Sequence, residues 1–278
     1  MVFPKAICNE LFGALDVSHS CALLAKHGFT GIEVAPFTLC DERGRIGSRR
    51  LQEVRSAMES NGITFVGLHW LFAFPKGLHI TSKDPKEQMK AKDHIRHLLD
   101  ISGALGGGNL ILGSPKQRNV DDASPQEGVR RLGGFLAEIA DDARAANSII
   151  CLEALPKHDT NVLNTLEEAK VMIETIGHPA IQGMFDFHNC ADEILPWDIL
   201  VGDYRSIIKH VHLNRIDGSY PTNSDIEQYV PAFNRLAASG FSGWISLEIF
   251  TIPENPEFVL EETAKFLRSI EEEHMQPE

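Results

Sequence analysis

The sequence predicts an α/β protein folded as one closed (β/α)8 barrel. Strand-like and helix-like patterns alternate eight times along its 278 residues, a length ordinary for such a barrel. No Ser/Gly-rich linker or charge block divides the chain, so 1–278 reads as a single domain. The first strand runs into ICNELFGAL, without the GxGxxG phosphate turn expected of an open, doubly wound sheet. Strict alternation forces a parallel sheet, because each strand needs a crossover helix to return the chain, and eight units is the number that closes.

The strand candidates are 4–9, 31–36, 64–70, 109–114, 148–155, 181–188, 208–214 and 243–250, rich in Ile, Val, Leu and Phe and often bounded by turn residues. Of the helical patterns between them, the clearest runs through Val129, Leu132, Leu136, Ile139, Ala140 and Ala143 with a period near 3.6. Ile95, Leu98, Leu99, Ser102 and Leu105 make a second stripe, and Gly106–Gly108 stop it before the fourth strand.

Composition narrows the function classes. Hydrophobic residues are 43% and charged residues 23% of the chain, enough for a sizeable core in a soluble globular protein. There is no apolar run of about 18 residues to span a membrane, and MVFPKAICNE lacks the layout of a secretory signal. The five cysteines (Cys8, Cys21, Cys40, Cys151, Cys190) are scattered and contain no CxxC pair. They suggest reduced thiols, and with them a cytoplasmic location. A net charge of −13 opposes a phosphate backbone, so no nucleic-acid partner is expected.

Four strands of the second half end in metal-competent residues. IICLEAL carries Glu153, GMFDFH Asp186, KHVHLN His212 and WISLEIF Glu248, spaced 33, 26 and 36 residues apart. That spacing is close to one strand-plus-helix unit, so the four converge at the C-terminal end of a barrel. Because side chains alternate along a strand, residues two apart share a face. Leu152 and Ala154, Phe185 and Phe187, Val211 and Leu213, and Ile245, Leu247 and Ile249 then pack outward under helices. Cys151 with Glu153, Asp186 with His188, His210 with His212 and Asn214, and Ser246 with Glu248 face the barrel interior. Glu33 opposes Ile32 and Val34, and His69 opposes Val66 and Leu68. Two Glu, one Asp and one His form an oxygen-rich, one-imidazole site for a divalent ion such as Mn²⁺ or Mg²⁺.

These segments, above all LEALPKHDTNVLNT, FDFHNCADE, KHVHLN and SLEIF, resemble the xylose-isomerase-like TIM barrels, and within them the ketose 3-epimerases. The resemblance spans essentially the whole chain. It implies one bound ion, Mn²⁺ foremost with Mg²⁺, Co²⁺ or Zn²⁺ open, held by Glu153, Asp186, His212 and Glu248. It implies further that Glu153 and Glu248 are the catalytic acid and base on a small-molecule sugar, in a protein that is commonly a homo-oligomer. The family's Asp-x-x-His, whose His touches substrate oxygen, is one residue shorter here, as Asp186-Phe-His188. Its second Glu, six residues after the first ligand, becomes Asp159, a substrate or loop contact. Its later Arg has no clean match, Arg215 lying only three residues beyond His212.

The chemistry explains the residue types. Isomerising or epimerising a ketose or keto-cyclitol removes a proton beside a carbonyl, and a divalent ion stabilises the resulting enediolate. One carboxylate takes the proton and a second group on the opposite face returns it. A leaving group β to that proton would turn the same parts into a lyase or dehydratase of a keto-sugar or 3-keto-glycoside. An apurinic-site endonuclease is a third reading, opposed by the charge. Around the core, His69 is read as a pocket residue or a structural histidine, and Glu33 as a pocket hydrogen-bonder or a buried partner for a loop residue. His210 is read as a core histidine or a support for the site. Lys116 and Arg118, in GSPKQRN after the fourth strand, are read as substrate contacts or as a solvated basic loop. Phe37, Trp70, Phe72 and Phe74 are candidates for an apolar wall facing a sugar or aglycone.

Overall fold

The computed structural model describes residues 3–274. The strands are β1 (Lys5–Cys8), β2 (Gly31–Val34), β3 (Thr64–Leu68), β4 (Asn109–Leu112), β5 (Ile149–Leu152), β6 (Ile181–Asp186), β7 (Ile208–Leu213) and β8 (Trp244–Leu247). They pair in parallel and in chain order, and β8 returns to β1 to close the barrel. Around it lie α1 (Val17–Lys26), α2 (Ser48–Asn61), α3 (Pro85–Ala104), the short α4 (Pro115–Arg118), α5 (Pro125–Ala145), α6 (Leu166–Ile176), α7 (Trp197–Asp203), α8 (Ile226–Ala238) and α9 (Pro256–His274). Among the described residues no helix is long and apolar enough to cross a membrane. The five cysteines are free thiols.

Local chemistry sets the helix ends. Asp84 and Ser124 cap α3 and α5 by accepting the N–H groups of Lys86 and Glu127, and Pro85 and Pro125 stand at the first helical position, where no N–H is needed. Beyond α3, Gly106 and Gly107 take positive φ, a conformation that stops a helix and suits glycine.

Two apolar layers follow from the alternation. Leu110, Leu112, Ile150, Leu152, Phe185, Val211, Leu213, Ile245 and Leu247 join Leu132, Leu136 and Ile139 of α5 in one continuous core between barrel and helices. Ile111, Cys151 and Met184 form a separate cluster inside the barrel. Strand β3 departs from the expected alternation. Its register against β2 shifts between Ile32 and Glu33, and Val66 lies against Gly31 and Ala6 in the interior rather than opposite His69.

The strands are shorter than their apolar runs. Glu153 and Glu248 stand one residue beyond β5 and β8, where the chain begins to turn outward. Their N–H groups still donate to the carbonyls of Leu112 and Leu213, at 3.3 and 3.2 Å, so each glutamate leaves the barrel at a set angle.

Candidate active site and metal centre

The site lies at the C-terminal mouth of the barrel and centres on His212. Its Nε2 donates to Glu33 Oε1 at 3.1 Å, which fixes the tautomer and turns the Nδ1 lone pair toward the mouth. Among the described residues Nδ1 has no hydrogen-bond partner. It faces Glu248 Oε2 at 3.0 Å, Asp186 Oδ2 at 3.4 Å and Glu153 Oε1 at 3.9 Å. One donor atom from each of Glu153, Asp186, His212 and Glu248 falls within 4.8 Å of the other three, and all four side chains are buried. Three carboxylates crowded around an unpartnered imidazole nitrogen repel one another unless a cation or protons intervene. The donor set therefore fits a divalent ion, in the oxygen-plus-imidazole chemistry that suits Mn²⁺, Mg²⁺ or Co²⁺.

The electrostatics carry the mark of that crowding. Burial, with Asp186 and Glu248 as like-charged neighbours, pushes Glu153 well above the usual carboxylate range. Burial also disfavours the ionised form of Asp186, but the His212 ring and the Asn189 N–H outweigh it and hold Asp186 low. Burial opposes a charged His212 as well; Glu248 and Glu33 overcome it and raise the imidazole well above its ordinary value.

Supporting residues hold each ligand. Asn189 donates its side-chain amide to Glu153 Oε1 at 2.9 Å and its backbone N–H to Asp186 Oδ1 at 3.0 Å. Asn214 accepts the His188 N–H at 2.8 Å, while its own carbonyl accepts the Tyr229 hydroxyl at 2.6 Å. Trp70 Nε1 donates to Glu248 Oε1 at 2.9 Å. Gly113 leaves room for the Glu153 carboxylate, because a Cβ there would stand 2.1 Å from Glu153 Oε2.

The six further positions singled out in the sequence are placed unequally. A cavity of about 510 Å³ opens over the cluster, and His69, Lys116, Asp159 and His188 line it together with Glu153, Glu248, Trp70, Leu155 and Phe250. Glu33 does not line it. It lies beneath, fully buried, between His212 and His210, whose Nε2 is 2.7 Å from Glu33 Oε2, so its partners are histidines of β7, neither the substrate nor a loop residue. Arg118 also departs from both readings of its loop, because α4 turns the side chain inward, where it is fully buried. Its guanidinium donates to the carbonyls of Glu153, Leu163 and Leu112 at 2.8, 3.1 and 3.3 Å, and so clamps the ends of β4 and β5 from behind. Phe72 is fully buried and belongs to the core, not to the wall. His69 donates to Glu10 Oε2 at 2.7 Å, a partner that sequence reasoning missed because the carboxylate lies past β1 on a short 3₁₀ turn. Asn189 has no parity to read because it lies in a loop, and Gly113 carries no side chain for parity to flag.

Comparison with known proteins agrees with the fold. The profile of the Xylose isomerase-like TIM barrel family matches residues 21–270. The chain is 25% identical to the D-psicose 3-epimerase of Ruminiclostridium cellulolyticum over 245 residues, covering 84% of this chain and 78% of that protein. It is 20% identical to the 3-dehydro-D-guloside 4-epimerase of Escherichia coli, covering 94% and 97%. The crystal structure of the apo 3-keto-D-glucoside 4-epimerase from E. coli superposes with a TM-score of 0.80 at 17% identity, over 96% of this chain and 99% of that one. With a closed eight-stranded parallel barrel and a family match across nine-tenths of its length, the chain belongs to the xylose isomerase-like TIM barrel family.

Proposed function

We propose that this protein is a divalent-metal-dependent epimerase of a keto sugar, with Glu153 and Glu248 exchanging a proton at the carbon beside the carbonyl. The observation that carries the proposal is the convergence of two buried glutamates, from β5 and β8, on the unpartnered Nδ1 of His212. The curated relatives are named as epimerases, which favours proton return over elimination.

Glu153, Asp186, His212 and Glu248 would hold the ion. When bound, the cation supplies positive charge next to the oxygen that becomes anionic as the proton leaves. The chain's own residues do the rest. Glu153 and Glu248 flank the reacting carbon, so that one removes the proton while the other, carrying a proton, returns it on the opposite face. Asn189 donates to one oxygen of Glu153 and holds it in register. His188, whose Nδ1 is buried and unpartnered, supplies a contact for a sugar oxygen, while His69, whose Nε2 is given to Glu10, closes the cavity wall. Asp159 and Lys116 stand at the cavity wall as contacts for the rest of the sugar. Leu155, Trp70 and Phe250 give that wall an apolar side, suited to the C–H face of a sugar ring.

The test is solvent exchange. Chelator-stripped protein, with and without Mn²⁺, is incubated in D₂O with a panel of ketoses, keto-cyclitols and 3-keto-glycosides and followed by NMR. Deuterium should enter next to the carbonyl only with the ion present, and the epimer should accumulate. Incorporation that ignores the metal, or loss of a substituent without epimer, would overturn the proposal.

A further inference from the structure

Trp70 occupies an unusual position. It is the first residue beyond the chain's exit from β3 at His69, and its φ of +53° lies in the left-handed region that a bulky side chain avoids. It is 46% exposed, yet the turn beneath it is well anchored. Leu71 and Phe72 are fully buried, the Leu71 carbonyl accepts from His94 Nε2 at 2.7 Å, and the Ala73 N–H closes the turn on the Trp70 carbonyl at 3.0 Å. The fold therefore over-determines a strained backbone, and the strain has a visible product. It swings the indole across the barrel mouth, where its ring lies edge-on to Phe37 and tilted on Phe250, with centroids 6.3 and 6.5 Å away. There Nε1 meets Glu248 Oε1 at 2.9 Å.

Glu248 thus has its two oxygens pulled in different directions. Oε2 faces His212 Nδ1 at 3.0 Å, in the seat of the ion, and Oε1 is taken by the indole. A carboxylate free to rotate can offer both oxygens to one cation, and then neither is available to a substrate proton. A donor fixed on one oxygen blocks that rotation. We propose that Trp70 is a positioning residue for Glu248, holding Oε1 toward the substrate and leaving Oε2 alone to the ion. This rests on the epimerase reading for its consequence in turnover, though not for the bond itself.

The experiment separates the two. The chain has three tryptophans, Trp70, Trp197 and Trp244, so the indole N–H resonances of ¹⁵N-tryptophan-labelled protein are assigned by their loss in Trp70→Phe. In the full-length, ligand-free protein the Trp70 N–H should exchange with solvent more slowly than its exposure implies, and Glu248→Ala should speed that exchange at least several-fold. If exchange is the same in wild type and Glu248→Ala, the bond is absent and the proposal falls, whatever the enzyme does. Trp70→Phe, which keeps an aromatic ring and loses the donor, should lower the kcat of metal-dependent deuterium exchange about 10- to 100-fold, with KM changed by less than about threefold. Wild-type kcat in a folded Trp70→Phe protein would overturn the positioning role even if the bond is present. A wild-type protein inactive on every sugar would sink the epimerase reading and leave the N–H measurement to decide this one.

Discussion

His212 Nδ1 is the atom around which the site is arranged, and Glu33 decides where it points. The structure puts Glu33 under the imidazole, not against substrate. Its two oxygens lie near the Nε2 atoms of His212 and His210, and these neighbours hold its carboxyl well below the usual range despite burial. Glu33→Gln, which keeps the shape and removes the charge, should therefore weaken Mn²⁺ binding about 10- to 100-fold while the protein stays folded; isothermal titration calorimetry measures it. Replacing Glu153 or Glu248 by Gln should lower turnover about 10²- to 10⁴-fold, read by the exchange assay, with circular dichroism unchanged. Wild-type turnover in either variant would remove that residue from the mechanism. Gly113→Ala is a steric probe of the same glutamate. A Cβ 2.1 Å from Glu153 Oε2 forces the carboxylate to move, so ion affinity and turnover should fall together. Of these residues Glu153, Asp186, His212 and Glu248 were legible in the sequence as interior neighbours, because strand alternation predicts which side chains share the interior. Glu33 was legible as an interior residue but not as a partner of His212, since the bond joins residues 179 positions apart.

At the scale of elements, the barrel's rim depends on a buried cation that the sequence presents as a loop residue. GSPKQRN offers no hint that Arg118 turns inward, because a four-residue helix has too few positions for an apolar stripe. In the fold its guanidinium serves three carbonyls and, among the described residues, no carboxylate bonds it, while burial lowers its pKa to about 10. Arg118→Met would leave those carbonyls buried without donors, and a loss of about 3 kcal/mol or more is expected. Urea denaturation checks this; a change below about 0.5 kcal/mol, the range of ordinary surface substitutions, would mean that the clamp carries nothing. The longer helices contrast with α4. The α5 stripe was readable at 3.6 periodicity, and Leu132, Leu136, Ile139, Ala140 and Ala143 are all buried. The observed strands stop one to three residues short of their apolar runs, since apolar composition continues past the point where ladder hydrogen bonding stops.

For the whole molecule, a bound divalent ion would link folding, charge and pH. Glu153 and His212 both have raised pKa values in the ion-free protein, from crowding by carboxylates, so protons stay on the site above the pH at which an isolated carboxyl would lose them. A cation must expel those protons. Its apparent affinity should then rise with pH from the ordinary carboxyl range upward, and binding should release protons. Calorimetry in two buffers of different ionisation enthalpy measures that release; identical apparent enthalpies would contradict it. The bound ion should also stabilise the barrel, by about 2.7 kcal/mol at a free concentration 100 times its Kd, and a chelator should lower the thermal midpoint correspondingly. The sequence by itself determined the closed eight-stranded barrel and the convergence of Glu153, Asp186, His212 and Glu248 on its interior, because β–α alternation and strand parity are periodic and periodicity survives in one dimension. Only the tertiary structure decided which residues support those four side chains. Glu33, Arg118, Trp70 and Asn189 act through contacts between distant parts of the chain, set by where loops turn and which side chains they bury, and no local pattern encodes that.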